Sequence, residues 1–248
     1  MPGVHVRTIG TGRPALRRNT PPGRPVVPTV EVEIWSDVVC PWCYIGKRRF
    51  EEALSRFPHA ADVRVAWRAY ELDPSAVSAP ADDGLRGRHA AVLAAKLGTS
   101  EERAREMSGA VTATAAGEGL EYRFDLALPA NTLDAHQVLH LAGQRGVQDA
   151  VAERLMRAHF TEGEALGDRE VLVRLGAEAG LDAGEVRSVL AEGRLVDAVR
   201  ADQAEAAALG ARGVPFFVVD RRYGVSGAQP AEQLLAVLER AWAEGRSA

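Results

Sequence analysis

The chain has 248 residues, 46% of them hydrophobic and 26% charged, the balance of an ordinary soluble globular protein able to bury a sizeable core in one large domain or two small ones. No window approaches the roughly 18 consecutive apolar residues of a membrane span. The 30 basic against 34 acidic residues, a net of −4, exclude the broad basic footprint of a nucleic-acid binder.

In chain order, residues 1–29 read as a disordered tail, broken by Pro2, Pro14, Pro21, Pro22, Pro25 and Pro28. Its five charged residues are all arginine, giving +5 and leaving 25 basic and 34 acidic residues, or −9, for the remainder. A secretory signal needs an apolar stretch of about 7–15 residues. The longest here is Val26-Val27, so the expected address is the cytoplasm. Val30 to Trp35 has the β-branched content and alternation of a strand. Cys40-Pro41-Trp42-Cys43 then opens a helix whose apolar residues Ile45, Phe50 and Leu54 recur at helical spacing. Val63, Val65 and Trp67 alternate with Arg64 and Arg68 as a second strand, completing a βαβ start over 30–74.

From 75 to 211 the pattern is helical almost throughout, with capping-box signatures at Thr99-Ser100-Glu101-Glu102 and Asp182-Ala183-Gly184-Glu185. Ala152, Leu155, Met156 and His159 form one apolar stripe and read as core. Over 212–248 two strands, Phe216–Asp220 and Tyr223–Ser226, precede a last helix after Pro230. The economical reading is α/β: a sheet domain in two parts, interrupted by a large all-helical insertion.

The two cysteines, Cys40 and Cys43, are the only ones in the chain, which excludes a disulfide-stapled scaffold and brings Cys-x-x-Cys chemistry forward. A helix N-terminus offers unsatisfied N–H groups and about half a positive charge, which favour a thiolate. Cys40 is placed there, with Pro41 where a missing N–H costs nothing, so Cys40 is the expected exposed nucleophile. Cys43, nearly a turn further in and more buried, is positioned to attack a mixed disulfide formed on Cys40. Trp42 adds no cation. Lys47 and Arg48, roughly 10 Å along by helix rise, are expected to be screened by solvent and salt, so the thiolate is favoured only moderately. A rival reading is a zinc-stabilised interaction module, with Cys40, Cys43, His136 and His140 as the four ligands.

The run Asp37-Val38-Val39-Cys40-Pro41-Trp42-Cys43-Tyr44-Ile45-Gly46-Lys47-Arg48 resembles the DsbA family, in its FrnE-like branch of thiol–disulfide oxidoreductases and isomerases. From Val30 to the C-terminus further matching pieces fall in the family's order: Asn131-Thr132-x-x-Ala135-His136, Gly213-Val214-Pro215-Phe216-Phe217 and Gly224-Val225-Ser226-Gly227-Ala228-Gln229-Pro230. The resemblance implies a thioredoxin fold with a helical domain inserted after the second strand. It also implies a cis Val214–Pro215 peptide facing the cysteines, with Val214 offering backbone groups to an extended substrate.

Two departures matter. Exported DsbA proteins carry a buried acid six residues before the first cysteine, where this chain has Ile34. Glu33 would replace it if the intervening turn were longer by one; otherwise Asp37 or His136 handles protons, and His136 and His140, with Asn131 and Gln229, are expected at the interdomain cleft. Glutathione-dependent relatives, the kappa-class transferases and hydroxychromene-carboxylate isomerases, carry serine at the Cys40 position and an Asp where Gln229 stands. The leading expectation is therefore a cytoplasmic dithiol–disulfide oxidoreductase or isomerase, acting on disulfide-containing proteins or small molecules. It needs no bound cofactor or metal, and with no third cysteine an external thiol reductant, glutathione or another, must recycle it. A glutathione-dependent transferase or isomerase is the alternative. No membrane or nucleic-acid partner is expected.

Overall fold

The computed structural model describes residues 6–9, 29–79 and 84–245. Its strands are β1 (Val6–Thr8), β2 (Val30–Ser36), β3 (Val63–Ala69), β4 (Phe216–Val219) and β5 (Tyr223–Ser226), in the sheet order β1-β5-β4-β2-β3. Helix α1 (Pro41–Arg56) links β2 to the parallel β3, and α9 (Ala231–Gly245) closes the described chain. Between β3 and β4 lie α2 (His89–Leu97), α3 (Glu101–Gly117), α4 (Leu133–Arg145), α5 (Gln148–Arg157), α6 (Arg169–Glu178), α7 (Ala183–Glu192) and α8 (Val196–Ala208). This is a thioredoxin-like sheet domain with a helical insertion.

The two-residue period of β2 sorts its side chains onto opposite faces. Val30, Val32 and Ile34 join Phe217 and Val219 in the core shared with α1 and α9, through Cys43, Ile45, Leu234 and Leu238. Trp35, Phe216 and Val218 form a second cluster with Ala206 of α8. Both faces are covered, so β2 is buried along nearly its whole length.

Residues 6–9 correct the expectation that everything up to residue 29 is tail. Val6–Thr8 pairs antiparallel with β5, Val6 opposite Val225 and Thr8 opposite Tyr223. Ile9 donates its N–H to the Arg222 carbonyl at 2.8 Å and joins the second cluster. The outer edge of β5 presents a row of backbone groups that need partners, and the Val-Arg-Thr segment supplies them. Residues 1–5 and 10–28 lie outside the described residues.

At the opposite edge, side chains of the insertion stand in for a further strand. The Trp67 N–H donates to Gln148 Oε1 at 2.9 Å, while Gln148 Nε2 donates to the Trp67 carbonyl at 2.9 Å. Ala69 N–H donates to Asp202 Oδ2 at 2.9 Å. These contacts dock the helical block against β3 and fix the cleft between the two parts. Within the block, Asp182 caps α7 through the Glu185 N–H as expected, whereas α3 is capped by Ser100, one residue later than a Thr99–Glu102 box requires.

Candidate active site

The chain leaves β2 through a turn in which Cys40 N–H donates to the Asp37 carbonyl at 3.1 Å, and Cys40 becomes the N-cap of α1 with extended backbone (φ −87°, ψ 114°). Pro41 follows as the first helical residue. No acidic residue occupies the first turn and no side chain caps it, so nothing there offsets the positive end of the helix beside Cys40. The two free thiols adjoin across this turn, near enough for Cys40 to help raise the Cys43 pKa.

Cys40 is more enclosed than its expected place at an exposed tip, at 4% exposure, whereas Trp42 stands 41% exposed beside it. Two distant segments cover the sulfur. The Val214–Pro215 peptide is cis, as the resemblance implies, and Cys40 Sγ donates to the Val214 carbonyl at 3.6 Å. From the insertion, the Tyr122 hydroxyl donates to the Pro41 carbonyl at 2.6 Å, and its ring stacks on Phe160 at 4.6 Å. Burial and the neighbouring cysteines push the Tyr122 phenol up, so it stays a donor. The close approach of the proline loop also dictates Gly46: a Cβ there would lie 2.8 Å from Pro215 Cγ.

Burial pushes the Cys43 thiol well above its ordinary range, and the adjoining Cys40 reinforces the shift. The Ser36 hydroxyl and the Asp37 backbone act the other way. Asp37, 1% exposed, holds one carboxylate oxygen on the Leu72 N–H at 2.8 Å and sets the other 3.6 Å from Nε2 of the fully buried His136.

Glu33 does not serve this place. It has the parity of Trp35, so it projects from the sheet face opposite α1, where Arg68 and Arg221 neutralise it. Asn131 and Gln229 also lie in structural turns. Asn131 Oδ1 accepts from the Leu133 N–H at 3.1 Å, and Gln229 Nε2 donates to the Ser226 carbonyl at 2.8 Å. The four-ligand zinc set does not assemble: His140 pairs with Asp202 at 2.9 Å while His136 faces Asp37. Among the described residues no group of three or more His, Cys, Asp or Glu is arranged to hold a metal.

Lys47 is a further correction, being 2% exposed rather than solvent-screened. Burial alone would lower its pKa, but Glu51, Asp149 and Glu153 outweigh that and raise it. The positive charge is therefore committed to carboxylates from α1 and α5, not to the thiols.

Beside Pro41 and Trp42 opens a cavity of about 690 Å³ between the sheet domain and α2 and α3. Asp37, His159 and Phe160 lie among its lining residues. His159, read from its spacing as a core residue, is 7% exposed, and burial brings its pKa down to about 4, with His89 pushing the same way and Asp37 opposing. Between pH 6.5 and 4 the unfolded chain therefore binds a proton at this residue that the native protein refuses. Stability should be complete above pH 6.5 and decline as pH falls, by roughly 3 kcal/mol at pH 4. Urea unfolding across this range should show a shallower pH slope for His159→Leu than for the parent, and identical slopes would contradict the assignment.

The sequence residues 31–239 match the DSBA-like thioredoxin domain family, and the chain belongs to it. A probable DsbA oxidoreductase from Streptomyces coelicolor is 48% identical, with a TM-score of 0.79 over 87% of this chain and 91% of that one. The Bacillus subtilis protein YwbO, uncharacterised, is 29% identical over 65% of this chain and 72% of its own length. The cytosolic disulfide reductase DsbM from Pseudomonas aeruginosa, solved with GSH, shares the fold at 23% identity and a TM-score of 0.56, over 85% of this chain and 98% of that one. Among the described residues no helix is long and apolar enough to cross a membrane.

Proposed function

We propose that this chain is a dithiol–disulfide oxidoreductase or isomerase in which Cys40 attacks and Cys43 resolves. The observation that carries this reading is the pair of neighbouring free thiols at the start of α1, with the Val214 carbonyl 3.6 Å from the attacking sulfur. The Cys40 thiolate attacks one sulfur of a substrate disulfide. That S–S bond breaks, the departing thiolate takes a proton, and the other half remains bonded to Cys40. Cys43 then loses its proton and attacks the Cys40 sulfur, which expels the second substrate thiol and leaves a Cys40–Cys43 disulfide. Two electrons and two protons pass from the protein to the substrate. Attack by a substrate thiol on the mixed disulfide, in place of Cys43, gives isomerisation instead.

Asp37 is the proton acceptor for Cys43 in this scheme, with His136 behind it. Val214 pairs with the backbone of an extended substrate, which tolerates many sequences. An external thiol such as glutathione returns the disulfide to the dithiol, in keeping with a cytoplasmic role like that of the DsbM fold relative. Tight glutathione binding by a transferase-type site is not favoured, because Gln229 is engaged with Ser226 and brings no carboxylate for an amino group.

The test is turnover. The protein in a glutathione buffer should reduce or rearrange a scrambled-disulfide polypeptide catalytically, while its own Cys40 and Cys43 cycle between dithiol and disulfide. A scrambled substrate that rearranges no faster than in the buffer alone would refute the reading.

A further inference from the structure

Seven large apolar side chains are exposed among the described residues, and all but Val65 line the cavity that opens at Pro41, the residue after Cys40: Trp42, Leu72, Val77, Val92, Leu97 and Met107. Apolar exposure concentrated in one concavity marks a binding site rather than scattered surface. The volume, about 690 Å³, falls inside the range of small-molecule pockets, roughly 300–1,000 Å³, which combine apolar walls with a few polar groups.

The polar groups here are specific. His159 Nδ1 and Ser108 Oγ are buried without a hydrogen-bond partner, and both residues line the cavity. Such atoms are costly to leave unpaired, and a ligand group satisfies them. Both can donate or accept, since His159 is neutral at physiological pH. The charged lining residues are already engaged: Lys96 pairs with Asp73 at 3.0 Å, and Asp37 is held by the Leu72 N–H. Among the described lining residues no unpaired cation waits for a carboxylate. The cavity therefore suits a neutral ligand and rejects an anionic one, whose desolvation nothing would offset.

We propose that this cleft is the binding site for a neutral, largely apolar small-molecule disulfide, held by the apolar walls and by hydrogen bonds to His159 and Ser108, with its sulfurs presented to Cys40. The assignment rests on the thiol-exchange reading above and names its substrate class. Cys40 displaces one half as a thiol, Cys43 displaces the other, and the protein becomes the disulfide. A thiol reductant then restores it. The volume suits a small molecule, whereas a polypeptide backbone would be paired at Val214, which is not among the cavity's lining residues.

The test compares the fully reduced protein on four disulfides: dibenzyl disulfide, bis(2-hydroxyethyl) disulfide, glutathione disulfide and a disulfide-cyclised peptide, each corrected for its reactivity with free dithiothreitol. The dibenzyl compound should react at least ~10-fold faster than the hydroxyethyl one, the gain expected from burying apolar surface worth about 1.4 kcal/mol or more. Val92→Asp combined with Met107→Asp, at exposed helix positions that tolerate polarity, should abolish that preference by slowing the dibenzyl reaction at least ~10-fold. Equal reactivity of the benzyl and hydroxyethyl compounds would overturn the assignment. So would a loss in the variant as large for the peptide as for dibenzyl disulfide, which would make the cleft a polypeptide groove. A protein inert toward all four would overturn the thiol-exchange reading and this assignment with it, whereas activity indifferent to apolarity overturns the assignment alone.

Discussion

Cys40→Ser should lower the rate of substrate-disulfide reduction by at least ~10³-fold, to the level of buffer alone, because a hydroxyl at the N-cap cannot form the S–S bond through which electrons pass. Cys43→Ser should behave differently. Its Cys40 keeps the amide-lined N-terminus of α1 and the Val214 contact, so the first attack should proceed within a few-fold of the parent rate. The second displacement is lost, and the mixed disulfide should persist until an external thiol removes it. The asymmetry follows from depth: Cys43 is fully buried behind Cys40 and is pushed by that burial toward the protonated form. Stopped-flow measurement of first-product release, alongside steady-state turnover, separates the two variants. Equal effects of the two substitutions on the first step would contradict the division of roles.

Asp37→Asn should slow the second displacement by roughly 10²-fold, the usual scale of a positioned general base. Asparagine retains an oxygen for the Leu72 N–H, so the turn should hold and the first attack should stay within a few-fold of the parent. The variant cannot take the Cys43 proton, and its release step should become first order in hydroxide, rising tenfold per pH unit. Single-turnover rates of the two steps from pH 6 to 9 provide the readout. A second step unchanged in rate and pH dependence would remove Asp37 from proton transfer. A parallel loss in both steps would make it a residue that only positions Cys40.

Much of this site is legible in the sequence. The strand–CPWC–helix passage, the return strands and the cis proline stand where motif and resemblance place them, because each is a local arrangement: an N-cap, a period, a turn. The exception among local features is instructive. Glu33 is one position from the family's acid, but one position in a strand reverses the face, and the two arginines across the sheet take it instead. Asp37, in the turn rather than the strand, escapes that parity and reaches His136.

What sequence reading missed is long-range. Nothing local to Tyr122 indicates that its hydroxyl meets the Pro41 carbonyl from the insertion. Lys47 looked like a solvated helix cation, and only α5 brings Asp149 and Glu153 to it. His159 follows an apolar stripe, as a core histidine does, yet its unpartnered nitrogen belongs to the cavity lining. Gly46 carried a signal in plain view within the CPWCYIG run, but the reason for glycine, the proline ring pressed against it, lies 169 positions later in the chain (215 − 46). β1 is similar: three β-branched or basic residues become a strand only because β5 leaves an edge open.

The most direct measurement is peptide mapping by mass spectrometry of the Cys43→Ser protein after brief exposure to a disulfide substrate. The account predicts one substrate half covalently attached, located on Cys40 and released by dithiothreitol. An unmodified Cys40 after exposure that fully oxidises the parent's cysteine pair would contradict it.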